Sequence, residues 1–319
     1  MRISAIVFAT VLSAAAAAPA AAVTQQEIAD CLRTSFLSSP DLVIAGCTAA
    51  IQSGQHMFWA YHNRGHAYAA RGRLNPAGGD YDSAIADYTD AIRLYPNDPN
   101  ALAFKGRGAA YEAKGDYDRA IADYTAALRL NAKDVEAYIA RGFSYAVKGN
   151  YDRAIADYTE AIGFDPKYDF AYLNRGIVNY HAGDLAKALA DLEQASALAP
   201  GDPYVALWRD IVGQHSGLPS RLAAATAEIG MTQWPAPVIR QFLGRSTAEA
   251  VLASADDPNP ATKKDHVCEA NLYGGELDLL QSKKDAASAL LRAAAANCTK
   301  DSIEYVAALA ELKALGISP

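Results

Sequence analysis

Two histidines four residues apart, His62 and His66, with His56 just ahead of them, have a spacing that could do chemistry. Residues at i and i+4 share one helix face, so such a pair could hold a metal ion. No glutamate completes an HExxH motif here, and no other acid lies close by in sequence. The pair is therefore expected to line a surface. His181, His215 and His266 are scattered along the chain. Gly106-Arg107-Gly108 precedes no phosphate-binding lysine, and no G-x-S-x-G elbow occurs. No catalytic residue, metal or cofactor is expected from this set.

Cys31, Cys47, Cys268 and Cys298 are the four cysteines. They form no C-x-x-C, and no histidine stands at zinc spacing from a pair of them. A third candidate is a ladder of charges. Arg64, Arg107, Arg141 and Arg175 each precede a glycine, and Asp87, Asp123, Asp157 and Asp191 recur downstream at one matching place. A stripe of arginines could hold an acidic peptide. The matching aspartates favour instead a repeated Arg–Asp bridge inside each structural unit.

The elements that position these residues follow from a repeat. Tyr117 to Thr125 recurs unchanged at Tyr151 to Thr159, a shift of 34 residues. A close copy starts at Tyr81 and a drifted one at Leu185. Small residues at Gly142, Ala154 and Ala161 let helices approach closely, and Tyr138, Tyr145 and Tyr158 fill the spaces between them. Gly149 ends a first helix in a tight turn, and Pro166 follows the end of the second. In this pattern the chain resembles the tetratricopeptide-repeat family, with Tyr138, Gly142, Tyr145, Ala154, Tyr158, Ala161 and Pro166 at its consensus places. The resemblance implies an all-α fold: a right-handed superhelix of helical hairpins, an α-solenoid, with a helical C-terminal module.

Residues 1–22 read as a cleaved secretory signal, from Arg2 through an apolar run to Ala20-Ala21-Ala22, with no lipidation cysteine after it. Residues 23–57 form a degenerate N-terminal hairpin, 58–202 the repeat array, and 203–319 the C-terminal module with a final hairpin from Cys268 to about Thr299. The turn between Gly72 and Gly79 is longer than its equivalents and carries Asn75-Pro76. In this register Cys31 faces Cys47, and Cys268 faces Cys298, across the two helices of a hairpin. Two disulfides are expected, as suits an exported protein. Ser302 to Leu315 should close the final apolar face.

The formal net charge is -7, without basic clusters, so the chain gains little from counterion release on nucleic acid or anionic lipid. No later stretch is apolar enough to span a bilayer. Location in the periplasm, or secretion, is the expectation. Tetratricopeptide arrays bind peptides or helices on a concave face lined by the first helix of each hairpin. By register that face presents Trp59, His62, His66, Lys105 and Glu112, then the more apolar set Ile139, Phe143, Phe170, Leu173, Ile177 and Tyr180. An apolar groove suits an amphipathic or Leu/Val-rich segment.

Downstream, Asp202-Pro203 to Trp208, then Trp234 and the run Val238-Ile239-Arg240-Gln241-Phe242-Leu243-Gly244, resemble the NlpI-type repeat lipoproteins of Gram-negative envelopes. That resemblance implies a non-catalytic, homodimeric adaptor for a periplasmic protease or cell-wall hydrolase. The missing lipidation cysteine is a departure from it. A secretion or polysaccharide-assembly accessory would use the same groove. An enzyme would need its site in residues 219–267, which offer one histidine, His266, and no convergent acid–base pair.

Overall fold

The computed structural model describes residues 24–32, 39–54, 56–74 and 80–318. The signal-like segment and the Asn75-Pro76 insertion lie outside them. Every regular element among the described residues is a helix. α1 (Gln25–Cys31) and α2 (Pro40–Gln52) pack as a pair. The array follows as α3 (Met57–Leu74) with α4 (Asp80–Leu94), α5 (Leu102–Lys114) with α6 (Tyr117–Leu130), α7 (Val135–Val147) with α8 (Tyr151–Phe164), and α9 (Asp169–His181) with α10 (Leu185–Leu198).

Each tight turn has the same local cause. Gly115, Gly149 and Gly183 sit at φ +81°, +71° and +86°, a left-handed conformation that ends the first helix. The next residue, Asp116, Asn150 or Asp184, caps the second helix by accepting the backbone N–H three residues on. Small residues then bring the helices together: a Cβ on Gly142 would stand 3.0 Å from the Tyr158 ring. α5 begins at Leu102, and Asp98 accepts from the backbone N–H of Asn100 and of Leu102 where the chain enters it.

Successive first helices touch one another along the series α3, α5, α7, α9, while successive second helices make at most marginal contact. The array therefore curves with its first helices inside. α11 (Pro203–His215) continues this inner row, started by Asp202, whose carboxylate accepts from Tyr204 N and Val205 N. Short helices α12 (Leu222–Ala225), α13 (Ala236–Phe242) and α14 (Ala248–Ser254) lead to α15 (Pro260–Leu280), paired with α16 (Lys284–Asn297). In this last hairpin Gly275 meets Leu291 as Gly142 meets Tyr158. Its first helix starts eight residues ahead of Cys268, earlier than the periodicity predicts.

Both disulfides form, Cys31–Cys47 and Cys268–Cys298, with Cα atoms 4.5 and 4.8 Å apart. They clamp the first and the last hairpins of the chain, α1–α2 and α15–α16. Each crosslink contributes roughly 3 kcal/mol by restricting the unfolded chain.

The final helix, α17 (Ile303–Ala314), packs on α16, as a closing helix should. It also lies against α7 and α9, on the inside of the curve. Val306 joins the cluster of Ile139, Phe143 and Val178, and Ala307, Ala308 and Leu312 join that of Leu173, Ile177 and Trp208. The C-terminal module thus folds back into the groove of the array.

Candidate peptide-binding groove

The helix α17 covers the stretch of the inner row formed by α7 and α9, which sets a covered C-terminal half apart from an N-terminal half formed by α3 and α5. In the N-terminal half, α3 presents Trp59, 46% exposed, with Phe58 edge-on to it at 5.1 Å and to Tyr95 at 5.5 Å. His62 lies 5.9 Å from the Trp59 ring, 5.8 Å from Tyr88 and 6.5 Å from His66. Burial holds both histidines below the usual imidazole range, and for His66 the nearby His62 acts in the same direction. At neutral pH they are uncharged rings, continuous with the aromatic surface. Among the described residues no group of three or more His, Cys, Asp or Glu could hold a metal ion.

Lys105 is half-buried on α5, with Nζ 2.9 Å from Asp134 and 3.0 Å from Glu136. Burial disfavours its charge, but those two hydrogen bonds outweigh burial and raise its pKa. Its cation is thus already compensated and offers little to an acidic ligand. Glu112 is buried, accepting from Tyr124 Oη at 3.0 Å and from Ser144 Oγ at 2.5 Å. Burial, opposed by these two hydroxyls, pushes its carboxyl up to about 8. It is a structural acid that ties α5 to α6 and α7.

A pH effect follows. Folded Glu112 keeps a proton that the unfolded chain releases above about 4.5, so stability should fall as pH rises from there to about 8. The Glu112→Gln variant should lack this component, a difference of at most roughly 1.4 kcal/mol per pH unit. Urea unfolding of both proteins at pH 5 and pH 8 checks it. Equal losses in the two would refute the assignment.

In the C-terminal half, Phe143 and Leu173 are buried, together with Ile139 and Ile177, in the clusters that α17 completes. Tyr180 is half-buried, its ring 5.4 Å from His215 and 6.3 Å from Trp208. Phe170 stays 43% exposed at the rim, beside Tyr168. Of the residues predicted to line the groove, Trp59, His66 and Phe170 are exposed, and His62, Lys105 and Tyr180 are partly covered.

The charge ladder takes the form of a repeated bridge. Each arginine makes a two-pronged contact with its aspartate, at 2.6–2.9 Å, in all four hairpins. Each also reaches the preceding unit: Arg64, Arg107, Arg141 and Arg175 donate through Nη1 to Thr48, Thr89, Thr125 and Thr159. Thr89, Thr125 and Thr159 sit in the repeated stretches of sequence and Thr48 on α2, but their role was not visible without the neighbouring helix. The guanidiniums are spent on the scaffold, so no basic stripe faces the groove.

A family model described as tetratricopeptide repeat matches residues 70–135, 105–169 and 140–203. Among solved structures, a tetratricopeptide repeat protein from Parabacteroides merdae is 17% identical, covering 90% of this chain and 98% of its own, with a TM-score of 0.58. Pseudomonas aeruginosa pilF is 16% identical over 81% of this chain and 97% of its own, at a TM-score of 0.47. At 17% identity the likeness to the Parabacteroides merdae protein concerns the fold alone. No curated protein matches the sequence. Repeat spacing, hairpin geometry and family match agree: residues 70–203 are tetratricopeptide repeats, and the described residues form an all-α solenoid.

Proposed function

We propose that this chain is a non-catalytic scaffold of the bacterial cell envelope that holds a partner peptide or helix on its concave face. The supporting observation is the exposed aromatic surface of α3 on the inside of the curve, where Trp59 stands beside uncharged His62 and His66. Such a surface favours a ligand with an aromatic or branched apolar side chain, with backbone groups left to the neighbouring polar atoms. The two disulfides support an oxidising compartment. A periplasmic protease or cell-wall hydrolase is the partner class we favour.

Peptides selected by phage display on the full-length protein test the binding reading. Their affinity should fall about tenfold or more with Trp59→Ala, since a central aromatic anchor contributes about 2 kcal/mol. It should be unchanged with Glu160→Ala, an exposed position on α8. Failure to select any peptide, or binding indifferent to Trp59, would sink the proposal.

A further inference from the structure

Inside the array every aspartate of the repeated bridge has its arginine. The seam between the last helices is built differently. On α15, Glu269 and Glu276 are seven residues apart and share a face; on α17, so do Glu304 and Glu311. The two rows meet acid to acid. The charge of Glu304 acts on Glu269, and that of Glu311 acts on Glu276.

Compensation is sparse. Glu276 is fully buried, and neither of its carboxylate oxygens has a hydrogen-bond partner among the described residues. Glu311 is 8% exposed, with His181 Nδ1 3.3 Å away. Glu269 accepts from Trp234 Nε1 at 2.7 Å and from the Tyr204 hydroxyl, and Glu304 accepts from Ser302 at the start of α17. The other titratable groups facing the seam come from the helices around it. Tyr180 on α9 faces Glu276 and Glu311, and Tyr151 on α8 and His215 on α11 face Glu311. Tyr204 on α11 and Tyr273 on α15 face Glu269 and Glu304, and Asp265 adds a further negative charge to both. No lysine or arginine enters this set.

Glu276 and Glu311 are buried and Glu269 and Glu304 half-buried; carboxylates facing one another with so little water disfavour double ionisation, and an isolated buried one keeps its proton. Burial, then the charge of Glu304, pushes Glu269 up to about 7. Burial and then Glu311 hold Glu276 well above the usual carboxylate range, and burial raises Glu304 as well. Once α17 lifts, these groups meet water and ionise like ordinary glutamates. The docked state therefore binds more protons than the lifted one, and docking weakens as pH rises.

We propose that α17 is a proton-gated lid on the C-terminal half of the groove, seated while Glu269, Glu276 and Glu304 hold protons against the facing helix and lifting as they ionise. Lifting uncovers Ile139, Phe143, Leu173 and Ile177, an apolar floor that already accepts one helix. Use of that floor by a partner rests on the binding reading above; the movement itself does not.

Hydrogen–deuterium exchange of the full chain at pH 5.5 and pH 8.0, corrected for the intrinsic pH dependence of exchange, reads the movement directly. Protection of residues 303–314 should fall at least tenfold more than that of α8 over this interval. A single proton held only in the docked state changes the equilibrium about tenfold per pH unit. Glu276→Gln and, as an independent variant, Glu311→Gln should both flatten the dependence. Equal changes in α17 and α8, or an undiminished fall in both variants, would overturn the lid. Neither outcome bears on peptide binding at Trp59, so the two readings fail separately.

Discussion

Arg141→Ala should cost about 3–5 kcal/mol of stability, because it strands a buried carboxylate. Arg141 Nε and Nη2 donate to the two oxygens of Asp157 at 2.8 and 2.7 Å, and Asp157 has only 8% of its side chain exposed. Nη1 donates to Thr125 in the preceding hairpin at 3.1 Å, and the guanidinium lies over the Tyr138 ring. Truncation removes all of these while leaving the anion in place. Urea unfolding gives the loss. The double variant Arg141→Ala/Asp157→Ala should be less destabilised than the single one, since no unpaired charge remains. A double variant worse than the single would mean that packing, rather than the stranded charge, carries the cost.

The second large effect is expected at Trp208. Its side chain is 1% exposed at the junction of α9, α11 and α15, with the rings of Tyr180, His181 and Tyr273 6.0–6.3 Å away. Trp208→Ala should cost about 3–5 kcal/mol through lost contacts and the cavity left behind. The loss should be regional. Proteolysis during thermal unfolding should cut first beyond Leu198, while the array up to α10 keeps its helicity. Trp208→Phe should retain most of the stability. A single transition with equal cutting on both sides of Leu198 would contradict this picture.

The architecture was legible in the sequence because its period writes the same contacts many times. Gly142, Tyr158 and Ala161 announce a hairpin in each copy, and a register fixed by them carries Cys31 to Cys47 and Cys268 to Cys298. The groove was less legible. Its residues can be placed on the inner face by counting, but whether that face is open depends on the curvature summed over several hairpins. α17 carries no sign of its destination: Val306, Ala307, Ala308, Ala310 and Leu312 bury several sides of the helix at once, so no single apolar stripe points to one neighbour. The acid seam was hidden for a similar reason. Glu269, Glu276, Glu304 and Glu311 read as ordinary surface charge until α15 and α17 are set side by side. The threonine contacts escaped because each completes an arginine belonging to the next hairpin.

Those threonine contacts bear on how such a chain can grow. Every internal unit offers a threonine to its successor and an arginine to its predecessor, so one unit is a fitting neighbour for another copy of itself. Lengthening by duplication then needs no new side chain at the join. The series stops where that reciprocity fails. Arg209 stands one period after Arg175, yet Ala225 stands one period after Asp191 and offers no carboxylate. Arg209 turns back to Ser196 at 2.6 Å and to Glu193 at 3.7 Å, with Glu193 one period after Thr159. A stop of this kind sets the length of the array, and with it the span of any segment that can lie along it.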